Sequence, residues 1–148
     1  MDTDRQNSIG FTIRRMSNLL RRKMAELAPP PEDRDGMTDM GCEIMEFLCE
    51  HVDRELFQRD VEEVFCIRRS TASRFLQKLE RDGLLLRQSV ARDARLKKLV
   101  PTERALALHS EVGAKSQVAE SLMARDLTPE ELARFLATAK KIQENLAR

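Results

Sequence analysis

The glycine at position 83 separates two kinds of apolar pattern, and this change constrains the fold more than any other feature of the sequence. Before it, apolar residues recur every three or four positions over residues 68–82, which predicts a helix that ends where glycine takes the left-handed conformation. After it, residues 84–90 and 96–100 are short apolar-leaning runs that flank residues 91–94, which predicts a β-hairpin. A helix must therefore be followed at once by a hairpin.

The rest of the chain shows helical periodicity only. Apolar spacing predicts helices over residues 9–27, 38–51 and 57–65, the last with Val61, Val64 and Phe65 turned inward. Consecutive prolines at 29–31 predict a loop over residues 28–36. Beyond the hairpin we expect a helix over 101–124 and a final helix capped by Thr128. The order predicts a mainly α protein with a small β-hairpin wing, a winged helix-turn-helix.

Charge is concentrated in the segment that forms the predicted helix and hairpin. The whole chain has a net charge of +1, but residues 68–98 hold ten basic and three acidic residues, a net +7, which leaves −6 elsewhere. Opposed charge blocks of this kind favour one face that meets a polyanion. Trp and Tyr are absent, so base-stacking platforms for single-stranded nucleic acid are poorly supplied.

The helix over residues 68–82 directs short hydroxyl and arginine side chains away from its apolar face. Amide donors and hydroxyls near a helix N-terminus suit phosphate contacts, and Arg74 can make a bidentate contact to guanine in the major groove. The wing can carry an arginine into the minor groove, with Asp93 holding Arg95 or Arg92 in place. The predicted DNA-binding residues are Arg68, Arg69, Ser70, Thr71, Ser73, Arg74, Lys78, Arg92, Asp93, Arg95 and Lys97.

Other function classes find little support in the sequence. The chain shows no nucleophile–His–acid set and no phosphate-cradling glycine loop, so we expect no catalytic residues and no enzyme. We expect no cofactor and no bound metal, since Cys49, His51 and His109 lack a specific ligand spacing. The three cysteines, and the lack of an apolar span or signal segment, predict a cytoplasmic protein without a membrane partner.

Several segments resemble the MarR family of bacterial transcriptional regulators over nearly the whole chain. They are Met37-Thr38, Ile44-Met45 and Leu48, QRDVE at 58–62, IRRSTAS at 67–73, LQKLE at 76–80, Gly83-Leu84, Arg87, DARLKK at 93–98 and Thr102-Glu103. The sequence departs from the family pattern at Gly41 and Cys42 in the second helix, and at Pro101 and Ala105 at the start of the fifth.

The resemblance implies a ligand-responsive repressor that acts as a homodimer on a pseudo-palindromic operator in double-stranded DNA. Residues 8–36 and 102–148 would be dimerisation helices around a DNA-binding module at 37–101, within one domain spanning 1–148. Ser70, Thr71, Ser73 and Arg74 would contact DNA from the recognition helix, and Arg95, oriented by Asp93, would reach the minor groove. The apolar faces of the terminal helices favour a dimer independently of the resemblance, because these faces cannot pack fully against a module of about 70 residues.

Three alternatives stay open at this point. The winged helix could be a protein-interaction module instead of a DNA reader. The regulator could sense oxidants through Cys42, Cys49 or Cys66, although the first two, seven residues apart in one helix, lie about 10 Å apart and cannot bridge there. A metal-sensing variant would use Cys49, His51 and His109. The identity of a small-molecule effector is not readable, although methionines 16, 24, 40 and 45 suit an apolar pocket.

Overall fold

The computed structural model describes residues 6–27 and 37–148, and these form six α-helices and one two-stranded antiparallel sheet. The loop predicted over residues 28–36 lies outside the described residues. The elements are α1 (Ile9–Leu27), α2 (Asp39–Glu50), α3 (Gln58–Val64), α4 (Arg69–Arg81), β1 (Leu85–Val90), β2 (Asp93–Pro101), α5 (Glu103–Met123) and α6 (Pro129–Leu146). In the described ranges, no helix has the length and apolar content needed to cross a membrane.

The apolar core lies in the middle of the chain, between α2, α3, α4, the hairpin and the first turn of α5. Helix α4 contributes Ala72, Leu76 and Leu79, which are at most 2% exposed and repeat at helical spacing. The other members of the cluster are Ile44, Met45, Leu48, Cys49, Leu56, Val61, Leu84, Leu85, Leu99 and Ala105. The winged module therefore contains nearly all of the packing that fixes α4 and the hairpin in place.

The first and last helices have no comparable core. Every residue of α1 is exposed or only partly buried, and the same holds for α6. Both helices are nevertheless amphipathic, and their large apolar side chains, such as Leu19 at 48% and Leu136 at 58% exposure, face solvent in the single chain. An isolated helix of this length is marginal in water, since most helical stability comes from packing an apolar face.

Helix ends and joints follow from local chemistry. Thr38, Thr102 and Thr128 each cap a helix by accepting the amide three residues later. Gly83 has φ +70°, as predicted for the residue that ends α4 in the left-handed conformation. The Thr102 hydroxyl donates to the Gly83 carbonyl at 2.8 Å and the Arg104 guanidinium to the Asp82 carbonyl at 2.6 Å. The start of α5 is thus fastened to the end of the helix before the wing.

Two sequence expectations are wrong in detail. Val64 is 55% exposed and does not turn inward. It lies about 60° from Val61 around the helix, on the side away from Phe65, and the core takes that other side. The hairpin turn is also shorter than expected, because β2 already begins at Asp93. Ser89 pairs with Lys97 but Val90 pairs with Asp93, so residues 94–96 form a bulge beside the turn.

Candidate nucleic-acid interface

The exposed side of α4 is basic, and its first turn contains no acidic residue. Ala72, Leu76 and Leu79 occupy the buried side, whereas Ser70 and Arg74 are exposed. The N-cap residue Arg68 makes no side-chain cap, and the first turn of α4 contains no acidic residue. The Thr71 and Ala72 amides donate to the Arg68 carbonyl, so the amides of Arg69 and Ser70, at the positive end of the helix dipole, are the ones open to an anion such as a DNA phosphate.

Arg74 is an exposed arginine in the first half of this helix. Its guanidinium lies 5.3 Å from the centroid of the Phe75 ring, a cation–π contact that leaves the donor edges unoccupied. Among the described residues it forms no ion pair. Lys78 and Arg87 differ, since Lys78 binds Asp82 at 2.8 Å and Arg87 binds Glu80 at 3.0 Å. Of these three cations, only Arg74 is uncompensated.

Ser73 lies at the seam between α3 and α4. Its hydroxyl oxygen accepts a hydrogen bond from Gln58 Nε2 at 2.8 Å, and the same amide group lies 3.3 Å from the Arg69 carbonyl oxygen and 3.1 Å from Glu62 Oε1. Ser70 and Arg74 point outward, but Ser73 is partly buried by this contact. Gln58 was not among the predicted site residues, and its signal in the sequence is its position as the first residue of α3.

The turn between α3 and α4 contains a second unpredicted feature. Cys66 has φ +51°, in the left-handed region that side-chain-bearing residues seldom adopt. Its amide donates to the Glu63 carbonyl and the Ile67 amide to the Glu62 carbonyl, so the end of α3 closes before α4 starts. This closed turn sets the angle between the two helices.

Arg95 is the central residue of the bulge in the wing. Asp93 Oδ1 accepts the backbone amide of Arg95 at 2.9 Å, so the carboxylate fixes the backbone of Arg95 while its side chain stays exposed. The neighbouring Lys97 ammonium donates to the Ser89 hydroxyl across the strands. The predicted link between Asp93 and Arg95 thus exists, through the main chain.

Arg92, at the tip of the hairpin, is directed away from Asp93. Its guanidinium donates to Glu55 Oε2 at 2.6 Å and lies 5.6 Å from the centroid of the Phe57 ring. Both partners precede α3 in the chain, so the wing tip contacts the segment that leads into the helix-turn-helix.

The candidate sensor residues do not converge on a site. In residues 6–27 and 37–148, no three His, Cys, Asp or Glu side chains form a group that could hold a metal ion. His51 Nδ1 donates to the Phe47 carbonyl at 2.7 Å, which occupies it as a polar residue at the end of α2. Cys49 is buried, and burial raises the pKa of its thiol to about 11, which disfavours the reactive thiolate.

Between α2 and α5 lies a partly buried cluster of polar side chains. The Ser116 hydroxyl donates to Glu46 Oε1 at 3.2 Å, and His109 Nδ1 nearby is buried without a partner among the described residues. Half-burial raises the pKa of Glu46, and the Ser116 hydrogen bond and the neighbouring His109 oppose that rise. These groups link α2 of the winged module to the long helix α5.

Comparison with known proteins identifies related structures and no related sequence family. Neither models of known protein families nor curated proteins match the sequence. The transcription regulator MarR from Oenococcus oeni PSU-1 matches with a TM-score of 0.80 and 27% identity, over 93% of this chain and 99% of that one. The S. aureus MepR–DNA complex matches with a TM-score of 0.81 and 22% identity, over 93% and 98%.

A third match is CouR from Rhodococcus jostii RHA1 bound to p-coumaroyl-CoA, with a TM-score of 0.77 and 19% identity over 93% of this chain and 92% of that one. The matches confirm the predicted fold class, a mainly α winged helix with a two-stranded wing. The matched structures are those of transcription regulators, in agreement with the expectation that the chain is not an enzyme.

Proposed function

The chain has the fold of the MarR-family transcription regulators, and on that premise we propose that it is a sequence-specific double-stranded DNA-binding repressor. The observation that carries the proposal is the first half of α4. It presents Ser70 and an uncompensated Arg74 beside open helix amides, on an element held rigid by the buried Leu76. A rigid helix with this outer surface suits the major groove, where arginine reads guanine.

The wing supplies the second contact. Arg95 extends from a bulge whose backbone Asp93 holds, and a single exposed arginine fits the narrow minor groove, where the negative potential is strongest. Arg68, Arg69 and Lys97 would contact phosphates and position the module without reading bases. Lys78 and Arg92 each have a carboxylate partner in the free protein, so their charge is largely compensated before DNA arrives.

The functional unit is a homodimer in this proposal. The exposed apolar faces of α1 and α6 need a partner, and a second copy supplies identical faces around a two-fold axis. Two modules related by that axis match a pseudo-palindromic operator with half-sites about one helical turn, 34–36 Å, apart.

We further propose that the protein acts in the cytoplasm and that binding of a small molecule makes it dissociate from the operator. The CouR match is a ligand complex, and here α5 is fastened to the end of α4 through Thr102 and Arg104. A ligand that displaces α5 relative to the module would move α4 with it, and two modules can then no longer fit adjacent grooves.

The test is a mobility shift with duplex from the promoter region of the gene itself. We expect Arg74→Ala and Arg95→Ala each to weaken specific binding by about ten- to a hundredfold, the loss of one base-contacting arginine. Arg125→Ala, an exposed arginine between α5 and α6, is the matched control and should leave affinity unchanged. Wild-type protein with no preference for this duplex over random DNA would refute the proposal and favour a protein-interaction module.

A further inference from the structure

The wing is attached at two points to the short segment that precedes α3. At its tip, the Arg92 guanidinium binds the Glu55 carboxylate at 2.6 Å and lies over the Phe57 ring. Further along β2, the Leu99 amide donates to the Leu56 carbonyl at 2.7 Å, in an isolated antiparallel bridge. Residues 55–57 therefore run beside β2 like a short third strand. We call the contacts of Arg92 with Glu55 and Phe57 the wing-tip contact.

The same segment continues into the contacts that hold the recognition helix. Phe57 is the N-cap residue of α3, and its amide donates to Asp60 Oδ2 at 2.7 Å. The next residue, Gln58, donates to Ser73 on α4. Four consecutive residues, 55–58, thus contact both elements that are proposed to read DNA. The wing and α4 are both held by this one segment. A change in the wing-tip contact therefore alters the position of the wing relative to α4.

The charges at the wing tip favour a positioning role for Arg92 over a direct contact with a DNA phosphate. Glu55 is 41% exposed and Arg92 is 59% exposed, so the pair is in solvent and contributes little to overall stability. An exposed ion pair together with a cation–π contact still biases a local two-state equilibrium by about tenfold. While the pair is intact, Glu55 compensates the charge of Arg92 and also repels phosphate oxygen.

We propose that Glu55 is a specificity-determining residue that acts through Arg92. It holds the wing tip so that Arg95 is presented to the minor groove, and it withholds the charge of Arg92 from the DNA backbone. This inference rests on the proposed function. Arg92 is then a positioning residue, in contrast to Arg95, which contacts DNA. Glu55 exchanges some non-specific affinity for a fixed wing, and so raises the ratio of specific to random binding.

The first test needs no DNA. Amide hydrogen exchange over residues 89–97 is measured in the whole protein for wild type and Glu55→Gln. We expect exchange at the wing tip to be about two- to fivefold faster in Glu55→Gln, because the ion pair is lost while the contact of Arg92 with Phe57 remains. Glu63→Gln is the matched control, since it removes the exposed Arg59–Glu63 ion pair of α3, and it should leave these amides unchanged. Unchanged exchange in Glu55→Gln overturns the proposal.

The second test measures binding to promoter duplex and to random duplex as a function of salt. In Glu55→Gln the released Arg92 should bind one more phosphate, so that the slope of log K against log salt for random duplex steepens by about 0.9. The ratio of specific to random affinity should fall by about two- to fivefold, since Glu55→Gln removes the ion pair only. Arg92→Gln removes both contacts, so the ratio should fall by about tenfold with the slope unchanged, and the double variant should resemble Arg92→Gln.

Two results contradict the role of Glu55 and Arg92 in specificity. A slope shallower by about 0.9 in Arg92→Gln means that Arg92 contacts phosphate directly in the wild-type complex. A Glu55→Gln protein with the wild-type slope and ratio means that the wing-tip contact has no effect on recognition. Wild-type protein without any specificity is a failure of the proposed function instead, and the exchange measurement then decides the wing-tip contact by itself.

Discussion

Truncation of a single leucine on the last helix tests the dimer that the proposed function requires. Leu136 lies on α6 and is 58% exposed in the single chain, although it belongs to the apolar face of that helix. If a second copy covers this face, Leu136→Ala removes apolar surface that is buried only in the dimer. The free energy of dimerisation should therefore fall, while the winged module, whose core excludes Leu136, keeps its stability.

The size of the effect follows from the exposed fraction. Complete burial of a leucine side chain is worth about 1.5–3 kcal/mol, and a little over half of it remains to be buried here, so each copy loses about 1–1.5 kcal/mol. A two-fold interface contains the residue twice, which gives about 2–3 kcal/mol per dimer. At about 1.4 kcal/mol per tenfold, the dimer dissociation constant should rise by about 30- to 150-fold.

The assay is sedimentation velocity of fluorescently labelled protein over a dilution series. Leu86→Ala is the matched control, because Leu86 is also a leucine about half exposed, at 53%, but lies on β1 in the wing. Its dissociation constant should equal that of wild type. A dissociation constant of Leu136→Ala equal to that of wild type would contradict the dimer interface proposed on α6, and so would a Leu86→Ala dimer weakened as much as the Leu136→Ala dimer.

The other predictions concern the half-buried Glu46 and the cysteine thiols. Half-burial raises the pKa of Glu46, so the fold is stabilised by its protonation at low pH, and that contribution is lost as pH rises above 4.5 through the raised pKa. Glu46→Gln keeps an acceptor for Ser116 and should be more stable than wild type to urea at pH 7, with a flatter pH dependence; lower stability at pH 7 would contradict this. Among the thiols, the exposed Cys66 should react first with a disulfide reagent at pH 7.5, and the buried Cys49 only on unfolding; rapid reaction of Cys49 in the folded protein would contradict this.

Much of the fold is legible in the sequence because local and long-range signals agree in α4 and its surroundings. The helical repeat of Ala72, Leu76 and Leu79, and the glycine that ends the helix, both act within a few residues. The departures at Pro101 and Ala105 are also accommodated locally. Pro101 ends β2, and Ala105 is fully buried where α5 packs on the module.

The details that the sequence does not predict depend on contacts between distant segments. Glu55 and Arg92 are 37 positions apart, and nothing in their neighbours signals that they meet. The hairpin turn was predicted too long because its sequence has no Asn-Gly or Asp-Gly signal, and the bulge at 94–96 depends on strand register. Ser73 is predicted as a DNA contact from its place on the flank of the helix and from the family resemblance, whereas its hydrogen bond to Gln58 belongs to the packing of two helices.

The most direct test of the proposed regulator is selection of binding sites from a library of random-sequence duplex DNA at physiological salt. We expect enrichment of one inverted repeat whose half-site centres lie about one helical turn, 10–10.5 base pairs, apart. Arg74→Ala should relax the preference at one position in each half-site, and the wild-type preference should remain there in Arg125→Ala. A library that emerges unenriched, or an enriched single half-site without two-fold symmetry, would contradict a dimeric sequence-specific DNA-binding protein.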